Sequence, residues 1–395
     1  MGFHGDGGVR GRGRAMQRLR FHVHLAAIEG DVAARKRSAH DASPDYTEED
    51  DKLLAKLAAI GPESLTYLGV PMPAGSVSAM RDSTPLLGLA DAGEALWARM
   101  DADGYVLLKG VLDRPAVMAA REQLLAQRAK AADGAALMTA ESVPLVHDVL
   151  RRGPMETLLE TLLGGEIRSL DYTWLRAKQP GGAPNASNPH CDSIFMARGS
   201  KNLITAWTPF SDITLEMGGL MVLEGSYRLA RYGDADQPLA EYAAIDIDSY
   251  CESDSASEQA VARAQAEGRG LTPEEQAVIW AARTQHLRFP KNSPDFRGTG
   301  GGNGALADAH TIVEHKVGGR WLTTEYSMGD VLLFSIYTMH SSTDNNGTEE
   351  RLSTDTRYQL ASEPFDSRWM GAEAKRNVNP HSYAASALSQ IGVRC

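Results

Sequence analysis

Hydrophobic and polar positions predict helices and a linker near the start of the chain. Apolar residues recur at helical spacing over residues 46–62, where Thr47 is placed to cap the helix. A second helix is predicted over residues 114–130, with Pro115 near its start. Between these helices, residues 69–85 are rich in Pro, Gly and Ser, which is typical of a linker arm.

Short apolar or alternating segments follow, and glycines and polar residues separate them. We predict strands over residues 104–110, 167–176, 202–209, 220–223, 321–325, 330–335 and 351–360. A group of helices followed by many short strands favours the α+β class, with a jelly-roll or similar double-sheet barrel at its core.

One long segment interrupts the strand pattern. Residues 232–320 contain an acidic stretch rich in Ala, Glu and Gln, a glycine-rich loop, and a helix start at which Thr272 and Glu275 form a capping box. We interpret this segment as a helical insertion between barrel strands. The predicted organisation is then a basic tail (1–45), a helix and linker arm (46–85), a barrel domain with the insertion (86–370) and a C-terminal tail (371–395).

Composition and charge restrict the possible partners. The chain has 395 residues, of which 43% are hydrophobic, and its formal net charge is −11. An acidic surface repels phosphate and anionic lipid, so nucleic acid and membranes are not expected partners. Three widely spaced cysteines favour a reducing compartment, and we expect a cytoplasmic protein. The Gly/Arg-rich start lacks the apolar core of a secretory signal, and we expect a disordered tail or a true start at Met16, with a transit peptide as the less favoured alternative.

The sharpest chemical feature is the pair His190 and Asp192. Residues two apart on an extended segment point to the same side, so an imidazole and a carboxylate can bind one metal ion. The best third ligand is His340, which follows the apolar strand at 330–335. Two histidines and one carboxylate leave open positions on the metal, which favours an Fe(II) oxygenase that uses 2-oxoglutarate and O2.

Arg351 follows His340 by eleven residues and is a candidate for binding a cosubstrate. Arg351 lies on a strand whose alternate residues, through Arg357, are all polar. Arginine suits the distal carboxylate of a cosubstrate because its planar group binds carboxylates through two hydrogen bonds and stays charged when buried. Only one of the two arginines can hold that carboxylate. The alternative interpretation is a solvent-facing edge strand.

These residues resemble the phytanoyl-CoA dioxygenase family, from about Gly104 to Leu360. The resemblance rests on the segments His190-Cys-Asp, Ala206-Trp-Thr-Pro-Phe-Ser-Asp, Met217-Gly-Gly-Leu-Met-Val-Leu-Glu-Gly-Ser, Gly329-Asp-Val-Leu-Leu-Phe, His340-Ser-Ser and Arg351. It implies a double-stranded β-helix that holds iron at His190, Asp192 and His340. It also implies that Arg351 binds 2-oxoglutarate, with Ser342 and Trp207 nearby.

The resemblance implies hydroxylation of a small organic substrate, coupled to oxidative decarboxylation of 2-oxoglutarate to succinate and CO2. Related halogenases lack the carboxylate ligand, so Asp192 favours hydroxylation. Phe195, Arg176 and Lys178 are candidates for contact with substrate, and the two cations are equally candidates for the cosubstrate. Cys191 should face away from the metal. The alternative functions are a cupin-like metal site without 2-oxoglutarate and a non-catalytic barrel that binds a ligand.

Overall fold

Among the described residues, most helices come early in the chain and most strands come later. The computed structural model describes residues 47–130, 143–171, 173–181, 184–192, 196, 199–227, 256, 259–278, 309, 319–366 and 369–371. The two predicted tails and most of the predicted insertion lie outside the described residues.

The helices are placed before the main strands. Their bounds are α1 Glu48–Ala59, α2 Ala92–Asp103, α3 Arg114–Lys130, α4 Pro144–Arg151 and α5 Pro154–Leu163. Thr47 caps α1 as predicted, because its hydroxyl accepts a hydrogen bond from the Asp50 amide and the Asp50 carboxylate accepts one from the Thr47 amide. The helix predicted at 114–130 is α3. Helices α4 and α5 lie where the sequence analysis placed no element.

Thirteen strands are present in the described chain. Their bounds are β1 Thr66–Tyr67, β2 Val70–Pro71, β3 Val77–Ala79, β4 Tyr105–Leu108, β5 Ile167–Ser169, β6 Trp174–Lys178, β7 Ser187–His190, β8 Ile204–Pro209, β9 Leu220–Leu223, β10 Trp321–Thr323, β11 Val331–Ser335, β12 His340–Ser342 and β13 Arg351–Leu360. Each predicted strand contains one of these elements, which confirms the strand predictions, although the structure divides the one at 167–176 into β5 and β6.

Two larger sheets organise the strands. A five-stranded sheet has the order β3-β10-β9-β12-β7, and a six-stranded sheet has the order β4-β11-β8-β13-β5 with β6 also paired to β13. Strands β1 and β2 form a separate hairpin. All pairs are antiparallel except β3 with β10. The chain is therefore a mixed helix-and-sheet protein.

Alternate residues of the six-stranded sheet face two different environments. Val106 of β4, Leu333 of β11 and Leu352 of β13 pack with helices α2 to α5 in one core cluster. The intervening residues, such as Leu107 and Leu332, pack with residues of β9 and β10 in another. Because a strand's side chains alternate between faces, the odd-numbered residues of β13 point between the two sheets.

The segment 69–85, which the sequence analysis interpreted as a linker arm, contains a strand and a buried residue. Val77–Ala79 forms β3, which pairs with β10, and Met80 is fully buried. A strand of three residues shows no detectable alternation, and its partner lies far along the chain, so the flanking Pro, Gly and Ser dominate the local pattern.

Parts of the predicted insertion are described. Residues 259–266 and 273–278 are helical. The predicted capping box is confirmed, because the Glu275 amide donates to the Thr272 hydroxyl and the Thr272 amide donates to the Glu275 carboxylate. Within the described ranges, no helix has the length and apolar character needed to cross a membrane.

Candidate active site

Three side chains with metal-binding groups converge between the sheets. His190 of β7 lies directly opposite His340 of β12, and Asp192 follows just after β7. The donor atoms of the three residues all lie within 4.8 Å of one another. Asp192 Oδ1 is 3.9 Å from Nε2 of each histidine. The structure thus brings together the three residues that the sequence analysis selected, and their donor set suits a divalent transition metal.

His340 is arranged to offer its Nε2 atom. Its Nδ1 lies 3.0 Å from the carbonyl oxygen of Thr338, which can accept the ring proton at that position. Burial lowers the pKa of His340, although the Asp192 carboxylate opposes this shift. The fold therefore favours the neutral imidazole, which is the form that binds metals.

The Asp192 carboxylate is held by two residues of the six-stranded sheet. Its Oδ2 accepts hydrogen bonds from the Thr205 hydroxyl at 2.6 Å and from Arg357 Nη2 at 2.8 Å. Thr205 and Arg357 are direct partners in the pairing of β8 with β13. Burial opposes the charge of Asp192, but Arg357, the two histidines and Thr205 outweigh it and hold its pKa well below the usual range. The carboxylate is therefore charged, and its other oxygen faces the histidines.

Arg357 was missed as a site residue by the sequence analysis, which treated it only as a competitor of Arg351. Its guanidinium is fully buried and its central carbon lies 4.1 Å from the centroid of the Trp174 ring. The available signal was the shared face of β13, which predicts that Arg351 and Arg357 point into the same interior. What the sequence could not supply was the partner, because Asp192 is 165 residues away in the chain and follows a strand of the other sheet.

Arg351 is buried farther along the same face of β13. Its Nη1 donates to the Gly218 carbonyl at 2.7 Å and its Nη2 to the Ser353 hydroxyl at 2.9 Å, and its central carbon lies 5.6 Å from the Trp207 ring. Burial lowers the pKa of Arg351 to about 10. Its Nε has no hydrogen-bond partner among the described residues. The interpretation of β13 as a solvent-facing edge strand is wrong, because β8 pairs with one side of it and β5 and β6 with the other.

Lys178 lies beside Arg351. The two residues are direct partners in the pairing of β6 with β13. Lys178 Nζ donates to the Ser342 hydroxyl at 2.7 Å and to the Thr343 carbonyl at 2.5 Å. Burial and the neighbouring Arg351 lower the pKa of Lys178 to about 6. We call the region around the basic side chains of Arg351 and Lys178 the cationic pocket. Ser342, which contacts Lys178, is two residues after His340 on the same strand, so this pocket is adjacent to the candidate metal site.

The other candidate residues for cosubstrate or substrate contact are Trp207, Arg176 and Phe195. Trp207 is buried, and its ring lies 4.6 Å from that of Tyr326. Arg176 is partly exposed and binds the Asp355 carboxylate at 2.8 Å. Phe195 lies outside the described residues. Trp207 therefore lies near Arg351, and Arg176 is paired with an acid of β13.

Cys191 is buried between the two metal-facing residues of its segment. Its Sγ donates to the Tyr337 carbonyl at 3.4 Å, and its side chain belongs to a hydrophobic cluster. Burial raises the pKa of the thiol well above its usual range. The residue is therefore a packed, unreactive thiol, consistent with the predicted orientation away from the metal.

Comparisons with known proteins agree with this arrangement. The family model described as "Phytanoyl-CoA dioxygenase (PhyH)" matches residues 100–353. The 1-deoxypentalenic acid 11-beta-hydroxylase of Streptomyces arenae is 32% identical over 169 residues, which cover 37% of this chain and 58% of that protein. The same enzyme of Streptomyces exfoliatus is 32% identical over 167 residues, with the same two coverages. The chain thus spans 58% of the length of these relatives.

Solved structures show more distant likeness. A non-haem alpha-ketoglutarate-dependent carbocyclase from nogalamycin biosynthesis is 13% identical, with a TM-score of 0.45 over 75% of this chain and 94% of its own. The protein EctD from S. alaskensis, solved with 2-oxoglutarate and 5-hydroxyectoine, is 14% identical, with a TM-score of 0.44 over 75% of this chain and 84% of its own.

Proposed function

The chain belongs to the phytanoyl-CoA dioxygenase family, and from this membership we propose that it is an Fe(II)- and 2-oxoglutarate-dependent oxygenase that hydroxylates a small organic molecule. The observation that carries the proposal is the convergence of His190, Asp192 and His340 next to a buried cationic pocket.

The residues fit an iron ion. Two imidazole nitrogens and one carboxylate oxygen on one side of a metal are typical of non-haem Fe(II) oxygenases, because the other side stays open. His190, Asp192 and His340 would hold the ion. Arg357 and Thr205 would orient Asp192 through the oxygen that does not face the histidines.

The residues also fit 2-oxoglutarate. Arg351 and Lys178 are buried basic side chains, and a carboxylate is the group that best compensates a positive charge on them. Both neighbouring acids are engaged elsewhere: Asp355 binds Arg176, and Asp344 accepts hydrogen bonds from Thr66 and from backbone amides. Ser342 and Trp207 complete the pocket. Fe(II) and 2-oxoglutarate together activate O2, yielding succinate, CO2 and a hydroxylated product.

We propose the finer architecture on the same basis. The two sheets would form a double-stranded β-helix with flanking helices, within the barrel domain expected at residues 86–370. Antiparallel pairing around an interior that holds the site supports this arrangement. Residues 232–320 would be an insertion between β9 and β10.

The substrate class is proposed from the relatives. The two similar hydroxylases are named for 1-deoxypentalenic acid, so organic acids are the first substrates to screen. Arg176 at the edge of the pocket, together with Phe195, would contact such a substrate. The carboxylate of Asp192 favours hydroxylation over halogenation, because it fills the metal position that a halide would need.

Anaerobic spectroscopy tests the cofactor proposal. Addition of Fe(II) and then 2-oxoglutarate to the protein should produce a weak visible charge-transfer band, and air should then cause slow release of succinate. Screening organic acids for faster succinate release would identify the substrate. A protein that binds the metal but gives neither band nor succinate would instead be a cupin-like or non-catalytic barrel.

Two variants separate the parts of the site. His340→Ala should lose both the metal and the band. Arg351→Met should keep the metal and raise the KM for 2-oxoglutarate on the order of 100-fold, because it removes a buried partner of the distal carboxylate. An unchanged KM in Arg351→Met would contradict the proposed pocket.

A further inference from the structure

The pocket beside the candidate metal site contains two basic side chains, of which the family resemblance assigned only Arg351 to the distal carboxylate of the cosubstrate. Arg351 and Lys178 are 3% and 8% exposed and face each other across the pairing of β13 with β6. Two like charges buried side by side destabilise each other, and each also loses its hydration. An arrangement of this kind is stable when one cation gives up its proton or when an anion enters.

Arg351 uses two of its five N–H groups for hydrogen bonds to protein atoms. Both of its terminal nitrogens already donate to protein atoms, the Gly218 carbonyl and the Ser353 hydroxyl. Nε is the position without a partner among the described residues. A carboxylate has two oxygens, each with two lone pairs, so it can also accept a hydrogen bond from a second donor next to Arg351.

Lys178 can supply that donor only in its charged form. A neutral amine has two N–H groups, and the Ser342 hydroxyl and the Thr343 carbonyl are placed to accept both. Protonation adds a third N–H, which is then free to bind an entering oxygen. The hydrogen-bond geometry therefore links the charge of Lys178 to the presence of an anion.

The charged groups around Lys178 support this link. Arg351 faces it from β13 and Asp344 from the segment after β12, and these are the groups that shift its pKa after burial. Asp344 is committed to Thr66 and to three backbone amides. On its own strand, Arg176 is paired with Asp355 of β13. With both acids engaged, burial and Arg351 dominate, and the free protein holds Lys178 mainly neutral above its pKa of about 6.

We propose that Lys178 is the second cation of the 2-oxoglutarate pocket and that it takes up one proton from solvent when the distal carboxylate binds. The inference rests on the proposed function, because it assumes that 2-oxoglutarate occupies this pocket. The charge balance is simple: the carboxylate enters as an anion, the amine becomes an ammonium, and no bond other than N–H forms. Affinity for 2-oxoglutarate then falls as the pH rises, by about tenfold per pH unit while the free amine is neutral.

Calorimetry tests the proposal directly. Binding of 2-oxoglutarate to the anaerobic Fe(II)-loaded protein is measured near pH 8 in two buffers of different ionisation enthalpy, which reports the number of protons taken up. The same titration with 2-oxobutyrate, which chelates the metal but lacks the distal carboxylate, is the reference. We expect uptake of about one proton with 2-oxoglutarate and of about none with 2-oxobutyrate.

Variants assign the proton. Lys178→Met should bind 2-oxoglutarate on the order of 10- to 100-fold more weakly and without proton uptake. Lys178→Arg should also bind without uptake, because arginine stays charged, which keeps the assignment testable if the methionine variant folds poorly. Lys52→Met, a surface lysine paired with Glu48 and Glu49, should behave like the wild type.

The outcomes separate the two proposals. Tight binding of 2-oxoglutarate without proton uptake, or undiminished uptake in a folded Lys178→Met variant, overturns the role of Lys178 and leaves the proposed function intact. Failure of the metal-loaded protein to bind 2-oxoglutarate at all overturns both. Uptake by the wild type that disappears with Lys178 establishes the inference.

Discussion

A single arginine, Arg357, connects the metal-facing carboxylate to the aromatic residues of the interior. It binds Asp192 Oδ2, and the face of its guanidinium lies against Trp174. The contact leaves Asp192 Oδ1 directed at the histidines and keeps the carboxylate ionised. Residues that hold a ligand in this way affect metal affinity strongly, although they do not touch the metal.

Replacing Arg357 should therefore weaken metal binding. We expect Arg357→Met to lower the affinity for Mn(II), measured by calorimetry without 2-oxoglutarate, on the order of 10- to 100-fold. Arg128→Met is the matched control, since that arginine pairs with Glu350 outside the metal site. Equal affinities of the two variants would show that the arginine does not position the carboxylate.

Removing the hydroxyl of Thr205 should also weaken metal binding, but by less than the loss of Arg357. Thr205→Val preserves the shape of the side chain but removes the donor to Asp192, and we expect the Kd for Mn(II) to rise several-fold, roughly the effect of one charge-assisted hydrogen bond. Thr205→Ser retains the hydroxyl and should stay close to the wild type. A serine variant as weak as the valine variant would indicate that packing, rather than the hydrogen bond, matters at this position.

Among the elements, the turn before β9 places the backbone oxygen that Arg351 uses. Gly218 has a φ of 72°, and an added Cβ would lie 2.6 Å from the Thr343 carbonyl oxygen. Glycine is thus required both for the left-handed conformation and for the close approach of two backbone segments.

A pair of glycine variants separates these two requirements. Gly164 ends α5 with a φ of 73° and has open space around it. Gly164→Ala should cost about 1 kcal/mol of stability in urea unfolding. Gly218→Ala should cost roughly 3 kcal/mol or more and should also raise the KM for 2-oxoglutarate, because the carbonyl of Gly218 would shift. Equal losses of stability would mean that the backbone near Thr343 yields easily.

The success of the sequence analysis also varies by element. The caps of Thr47 and Thr272 were predictable because they depend on residues three apart, and the long strand β13 was predictable from its alternation. Strand β3 was not, because its pairing with β10 is a long-range contact. The candidate ligands His190, Asp192 and His340 were selected by their chemistry, and the structure brings their donor atoms together. The contact of Arg357 on β13 with Asp192 could not be predicted, because it depends on which segment of the other sheet lies opposite β13.

On the scale of the whole molecule, the candidate metal site joins two sheets. The histidines belong to β7 and β12 of the five-stranded sheet, whereas Asp192 is hydrogen-bonded to β8 and β13 of the six-stranded one. A bound ion would therefore tie both histidines to a carboxylate that β8 and β13 hold, which would strengthen the connection between the two layers.

Metal binding should thus raise the melting temperature. Mn(II) at about 100 times its Kd should increase Tm on the order of 5 °C in differential scanning fluorimetry, because a ligand that binds only the folded state stabilises it. His340→Ala should show no such increase. A shift of the same size in that variant would place the stabilising ion elsewhere on the protein.

The alternation of β13 has a consequence for how this chain can change over evolutionary time. Arg351, Ser353, Asp355 and Arg357 occupy the interior because they are two positions apart. Deletion of one residue after Ser353 would turn every later side chain of the strand around, so that Arg357 would face the helices and Tyr358 would take its interior position. A substitution changes one residue of this strand at a time, whereas an insertion or deletion within it would reorient all the residues that follow, so changes in length should accumulate outside it.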